Sequence, residues 1–318
     1  MTFSPYELMQ QAVDIVGDSP HPTNKIAATI AGKDKDGKDF SLSRTNFWPE
    51  EIREKIGAET KIGNSSGTVH AETACILSAP VTESAALFVT DPPCPNCMKN
   101  IAEARIKTLY IDHKGFDKDW AQRNEDNFEH MSMRIAEHAG ISVYEIWRKE
   151  EKLVPILEVS KGYAPVIEKP LQLESHEGDI SSEVFLEFIK RKDHADEPFA
   201  MAFAHDSVGN RYALNATPHP AIGYTSKSMD KPEGKYSFIL QPINRLIMSA
   251  ARYGFQIDAD YLYSSRVPTA RELVNMVGAG ITTIHIGDRE DSRDENGPEA
   301  LKQLQDAETI KVLPCTKV

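Results

Sequence analysis

Residues 70–79 read HAETACILSA and residues 87–111 read LFVTDPPCPNCMKNIAEARIKTLYI. Both stretches return later in the chain, as QPINRLIMSA at 241–250 and LYSSRVPTARELVNMVGAGITTIHI at 262–286. The offset is 171 residues for the first pair and 175 for the second, so one short insertion separates them. Upstream, DGKDFSLSRT at 36–45 matches VGNRYALNAT at 208–217. A helical pattern at 5–16 also has a counterpart at 182–192. Four elements in one order at a nearly constant offset are hard to obtain by chance, and the period is far too long for a solenoid. The pattern predicts a duplicated domain.

Within each copy the order is alternating helix and strand. In the first, PYELMQQAVDIV (5–16) has helical spacing, with Ser4 as N-cap and Pro5 in the first turn. A hairpin is expected from 26–31 through the turn at 35–38 to 40–43. Then come a buried helix at 70–79, a strand at 87–90, a helix at 97–104 and a strand at 108–111. A long helix from about 126 to 138, stopped by Gly140, leads to a last strand at 141–146. Strands joined through crossover helices pair in parallel.

The length of 318 residues agrees with two domains. We expect them at 1–155 and 165–318, with a Pro-containing linker within 149–178. Hydrophobic residues make up 40% of the chain and charged residues 26%, as in ordinary globular proteins. No apolar run reaches membrane-spanning length, and the N-terminus lacks a basic region followed by an apolar one. Four cysteines, two of them in one C-x-x-C, suggest no disulfide framework, so a cytoplasmic location is expected. The net charge of −12 argues against a protein that tracks a phosphate backbone and favours small-molecule substrates.

His70, Cys94 and Cys97 supply one imidazole and two thiols, enough to hold Zn2+ with a fourth position open. Glu72 follows the histidine by two residues, placed to move protons. A C-x-x-C alone also fits a redox pair or half of a structural zinc site. No second C-x-x-C or paired histidine is present to close such a site. Cys75 lies five positions after His70 on the same helix, points to another face, and reads as a buried apolar residue. In the second copy the ligands are gone: Gln241, Ile243, Thr269 and Glu272 stand opposite His70, Glu72, Cys94 and Cys97, while Pro268 keeps the place of Pro93.

The HAE triplet, Thr90-Asp91-Pro92-Pro93-Cys94 and Cys97 resemble the signature of zinc-dependent nucleobase deaminases. More specifically, residues 1–148 resemble the cytidine and deoxycytidylate deaminase superfamily, and the second half resembles it as a degenerate copy. The resemblance implies an α/β fold of two tandem three-layer α/β/α domains, each a mixed five-stranded sheet flanked by helices. It implies zinc as cofactor, Glu72 as catalytic proton shuttle, and a homo-oligomer, expected as a dimer. It also implies hydrolytic deamination of a cytosine nucleoside or nucleotide. A purine deaminase acting on guanine or tRNA adenosine is the rival within enzymes. A non-catalytic, zinc-stabilised binding or regulatory protein is the rival outside them.

The resemblance gives Asn46 contact with sugar or base, and a turn asparagine bound to its own backbone is the other reading. Phe47 and Trp48 are candidates to wall a base pocket, or equally to pack as core. Ala71 completes the substrate-binding candidates. Arg53, Lys55, Lys61, Lys25 and Arg44 are candidates to meet a phosphate, each also readable as a solvated surface charge.

Overall fold

A computed structural model describes residues 3–123, 125–192, 197–229 and 236–314; Cys315 lies outside them. The first helix, Pro5–Ile15, starts as expected. Ser4 accepts a hydrogen bond from the Tyr6 amide, and Glu7 reaches back to the Ser4 amide at 3.1 Å. That reciprocal box satisfies amides a helix start otherwise leaves bare.

The strands, in chain order, are β1 (Ala27–Lys33), β2 (Asp39–Thr45), β3 (Lys61–Ile62), β4 (Ser65–Ser66), β5 (Ala86–Val89), β6 (Thr108–Asp112), β7 (Ser142–Trp147) and β8 (Lys152–Leu157) in the first half. The second half holds β9 (Gln172–His176), β10 (Ala200–His205), β11 (Arg211–Ala216), β12 (His219–Pro220), β13 (Ile239–Leu240), β14 (Gln256–Val267), β15 (Thr283–Ser292) and β16 (Lys311–Pro314). The first sheet runs β2-β1-β5-β6-β7-β8 and the second β16-β15-β14-β10-β11-β9. In both, the central strand pairs antiparallel with its hairpin partner and with the next strand: β1 with β2 and β5, β10 with β11 and β14. The remaining core pairs, β5–β6–β7 and β14–β15–β16, are parallel. The two sheets thus share a five-strand topology.

Each sheet carries a sixth strand beyond the expected five. β8 adds antiparallel to β7, and β9 adds antiparallel to β11. Both lie in the segment 149–178, so part of the expected linker is sheet edge. The unpaired amides and carbonyls of an edge strand favour such an addition.

The helix expected at 70–79 is Ala71–Ser78, and its counterpart is Pro242–Tyr253. The latter is 12 residues against 8. This extra turn accounts for the change in offset from 171 to 175. The helix Pro95–Glu103 corresponds to Ala270–Gly278. One buried pair recurs in both halves. Asn100 donates to Thr73 at 3.1 Å, and Asn275 donates to Asn244 at 2.9 Å.

The long helix expected from about 126 to 138 runs from 125 to 139, as Glu125–Asn127, a π-helical turn at Phe128–Ser132, and Met133–Ala139, and a short helix, Asp119–Arg123, precedes it. The widened turn ends at Ser132, whose buried hydroxyl donates to the Pro93 carbonyl at 2.9 Å, tying this segment to the residue before Cys94. Gly140 closes the helix with φ of 72°, as a C-terminal glycine should.

The four helices around Ala71–Ser78 and Pro242–Tyr253 pack against one another, and one hydrophobic cluster runs through both halves. The backbone approach is close. A Cβ on Gly278 would overlap the Val69 side chain, and one on Gly223 (φ 91°) would overlap the His138 carbonyl. Buried polar groups also cross the boundary. Ser249 donates to Glu103 at 3.0 Å, and the Arg245 guanidinium lies 3.5 Å from the same carboxylate. Burying a large apolar surface while matching its few polar groups is what makes two layers behave as one body.

Candidate metal centre and cavity

Two helices begin at the same place. His70 is the N-cap residue of Ala71–Ser78, and Cys94 that of Pro95–Glu103, with Cys97 in its first turn. Their positive ends converge, which favours thiolate over thiol. The ligand atoms of His70, Cys94 and Cys97 all lie within 4.8 Å of one another. His70 Nδ1 is 3.7 Å from Cys94 Sγ and 3.2 Å from Cys97 Sγ. Tetrahedral zinc with ordinary bond lengths requires N···S edges of about 3.6 Å. The donor set therefore fits Zn2+, and Glu72 stands outside the three-ligand group. The Cys97 thiol and the neighbouring His70 hold Cys94 well below the usual thiol range, and the pairing pushes Cys97 well above it.

Glu72 is 3% exposed, and its Oε2 has no hydrogen-bond partner among the described residues. Burial pushes its carboxyl up to about 7, with Cys94 adding to the rise and His70 opposing it. An orphaned buried carboxyl oxygen is costly unless a ligand or water uses it. Cys75 is fully buried as expected. Its thiol donates to the Ala28 carbonyl at 3.2 Å, and burial pushes it up to about 12.

The metal set opens into a cavity of about 480 Å³. Asn46 lines it, but its amide is largely spent. The oxygen accepts from Ser19 Oγ (2.6 Å) and the Ile26 amide (3.0 Å), and the nitrogen donates to the Asn24 carbonyl (2.9 Å). Ala71 is buried in the first turn of its helix and is not part of the lining. Phe47 and Trp48 do not line the cavity either. Phe47 forms a β-bridge with Val69, and Trp48 is buried, stacked on His21 at 5.1 Å. His21 is the ring that reaches the cavity. The residues after Asn46 turn inward because the chain must pair with the strand-like segment leading into His70.

None of the five basic residues singled out near the first site lines the cavity. Lys25 donates to the Gly17 carbonyl, Arg44 to Ser78, Arg53 to Glu54 and Lys55 to the Glu308 carbonyl; Lys61 is exposed. The cavity instead takes Lys99 from the first half and Arg271 and Arg293 from the second. Burial lowers Lys99 to about 7, and its ammonium donates to the Ser237 and Ile239 carbonyls at 2.6 and 3.1 Å. Arg271 stands opposite Asn96 in the repeat register. That was the one trace of it in the sequence, and nothing there says that the two copies share a cavity.

The counterpart of the metal set is built differently. Thr269 caps Ala270–Gly278, with its hydroxyl accepting from the Glu272 amide. The buried Glu272 carboxylate accepts from the Ile243 amide at 2.9 Å and from the Thr269 amide and hydroxyl at 2.8 Å each. Gln241 accepts from Arg266 at 3.3 Å. A carboxylate thus joins the two helix starts where the first half has the histidine–cysteine cluster.

A histidine and two cysteines thus meet at paired helix starts on an α/β scaffold, beside a buried carboxyl with one unpartnered oxygen. Residues 4–113 match the cytidine and deoxycytidylate deaminase zinc-binding region. Two solved structures of dCMP deaminase from the cyanophage S-TIM5 are also similar. The complex with dCMP and dUMP is 21% identical over 45% of this chain and 99% of its own, with a TM-score of 0.31. The apo form is 23% identical over 45% and 100%, with a TM-score of 0.29. No curated protein matches this chain. No helix among the described residues is long and apolar enough to cross a membrane.

Proposed function

We propose that the chain deaminates a cytosine nucleoside or nucleotide hydrolytically, yielding the uracil compound and ammonia. The observation that carries this reading is the buried, unpartnered Oε2 of Glu72 beside a three-ligand metal set. Zinc, when held by His70, Cys94 and Cys97, supplies the Lewis acidity that lowers the pKa of water to about 7. Glu72 would take one proton from the attacking water as its oxygen bonds to the ring carbon, and pass that proton to the ring nitrogen. It would then carry the remaining hydroxyl proton to the exocyclic amine, so that the C–N bond breaks, ammonia leaves and the C–O bond becomes the carbonyl. A carboxyl pushed up to about 7 suits both accepting and donating near neutral pH. His21 is positioned to meet a planar base, and Asn46 holds the 19–26 loop around the pocket rather than offering a free amide.

In this reading residues 1–155 form the catalytic domain and 165–318 a degenerate copy, and the chain works in the cytoplasm as a homo-oligomer. Purine deamination is the second reading, since the same metal set serves it. The test is ammonia release by zinc-loaded protein from dCMP, deoxycytidine, cytidine, guanine and a tRNA anticodon stem. Turnover of cytosine compounds is expected. Turnover of guanine or tRNA alone would replace the substrate, and turnover of none would leave a zinc-stabilised binding protein.

A further inference from the structure

The cavity has a charge opposite to that of the chain. The whole protein carries −12, yet the cavity is lined by three cationic side chains, Lys99, Arg271 and Arg293, and one carboxylate, Asp294. Asp294 is engaged elsewhere. Its Oδ1 accepts from the Asn296 and Gly297 amides at 3.0 and 3.3 Å, at the start of the helix Asn296–Asp306. The Lys99 ammonium is bound to two carbonyls. The two arginines are the cations left to act on a ligand, and both come from the half without metal ligands.

Their settings differ in a useful way. Arg271 is held by the Thr68 carbonyl at 2.8 Å and by Ser66, so its guanidinium is fixed against the segment that leads into His70. Its electrostatic neighbours are Cys94, Cys97 and Tyr236, and no carboxylate forms an ion pair with it among the described residues. Arg293 is exposed at the cavity and makes no hydrogen bond or ion pair among the described residues. A partly buried guanidinium without a carboxylate is costly to keep unless an anion visits it. Guanidinium groups match phosphate geometry with paired hydrogen bonds.

We infer that Arg271 and Arg293 form an anion subsite for the phosphate monoester of a cytosine nucleotide, so that the metal-free half selects the substrate of the metal-bearing half. This inference rests on the deaminase reading and narrows its substrate class from nucleoside or nucleotide to nucleotide. The base enters toward His70 and Glu72, and the phosphate remains at the boundary between halves. The cavity volume accommodates both parts, being within the range of small-molecule sites. The second half is then part of the active site as well as a packing partner.

The experiment compares kcat/KM of the full zinc-loaded chain for dCMP against deoxycytidine and for CMP against cytidine. The phosphorylated member of each pair is expected to be favoured about 100-fold or more. Arg293→Gln, at an exposed position where folding is not at stake, should reduce that ratio by about tenfold or more through KM for the nucleotide. Arg271→Lys should reduce it too, and zinc content read alongside separates loss of the anion subsite from loss of the metal set. Calorimetric binding of dUMP should weaken in parallel and should weaken further with salt. Equal kcat/KM for nucleoside and nucleotide in the wild type, or an equal fall for both in Arg293→Gln, overturns the inference. If no cytosine compound turns over, the deaminase reading fails instead. Binding of dCMP against deoxycytidine then still decides the subsite.

Discussion

In the first half, His70, Cys94 and Cys97 stand where two helices begin; in the second, Gln241, Thr269 and Glu272 stand at the matching positions. The same problem is solved twice. Two helix starts brought together present bare amides and concentrate positive potential, and something negative must answer them. The first half answers with thiolates and, when bound, zinc. The second answers with a single buried carboxylate that accepts from Ile243 and Thr269. The two junctions thus share a geometry and differ in the group that meets it. Burial raises the Glu272 pKa, and the three donors that converge on the carboxylate oppose that rise.

The strongest way to test this contrast is to change the buried carboxyl whose Oε2 has no hydrogen-bond partner among the described residues. Glu72→Gln should lower turnover of the preferred cytosine substrate by about 10³-fold, the upper range of a positioned acid–base group. Zinc should remain at one per chain by metal analysis. Full activity would show that Glu72 is not the proton carrier. Next in size, Cys94→Ala should lose zinc and about 3–4 kcal/mol of unfolding free energy, since the metal binds the native state alone. A chelator should lower the melting temperature of the wild type and leave that of Cys94→Ala unchanged.

Removing the substitute for the metal should matter less but still show. Glu272→Ala leaves two buried amides and a hydroxyl short of an acceptor, so a loss of about 2–3 kcal/mol in denaturant unfolding is expected. Zinc content should not change. If Glu272→Ala is neutral, the carboxylate does not hold the junction. The smallest effect expected is for Gly278→Ala, where the added methyl meets Val69 across the boundary. About 1–2 kcal/mol should be lost. A cost here, far in sequence from residue 69, would confirm that the halves share one core.

Much of the architecture was legible from the sequence. The repeat of HAETACILSA as QPINRLIMSA, with the ligands replaced, anticipated two sheets of one topology and the single metal set. Helix starts at Ser4, His70 and Cys94 followed from local capping and spacing, which act within a few residues. The π-helical turn at Phe128–Ser132 was not visible, and the hydrogen bond that ends it, from Ser132 to the distant Pro93 carbonyl, is a tertiary contact. Nor were the strands β8 and β9, whose pairing depends on which sheet edges lie open nearby.

The cavity shows the same division. The grouping of His70, Cys94 and Cys97 was legible because thiol and imidazole chemistry is intrinsic to the residues and their spacing. For Phe47 and Trp48 the sequence left pocket wall and core open, and the structure packs both away from the cavity. Arg271 and Arg293 lie more than 170 positions beyond the first cysteine and carry no recognisable motif. Only the packing of one half against the other brings them to the cavity. The sequence by itself determined which residues can do chemistry and in which half, because those properties are local. The tertiary structure decided which charges surround that chemistry, because electrostatic and packing interactions act through space and ignore separation along the chain.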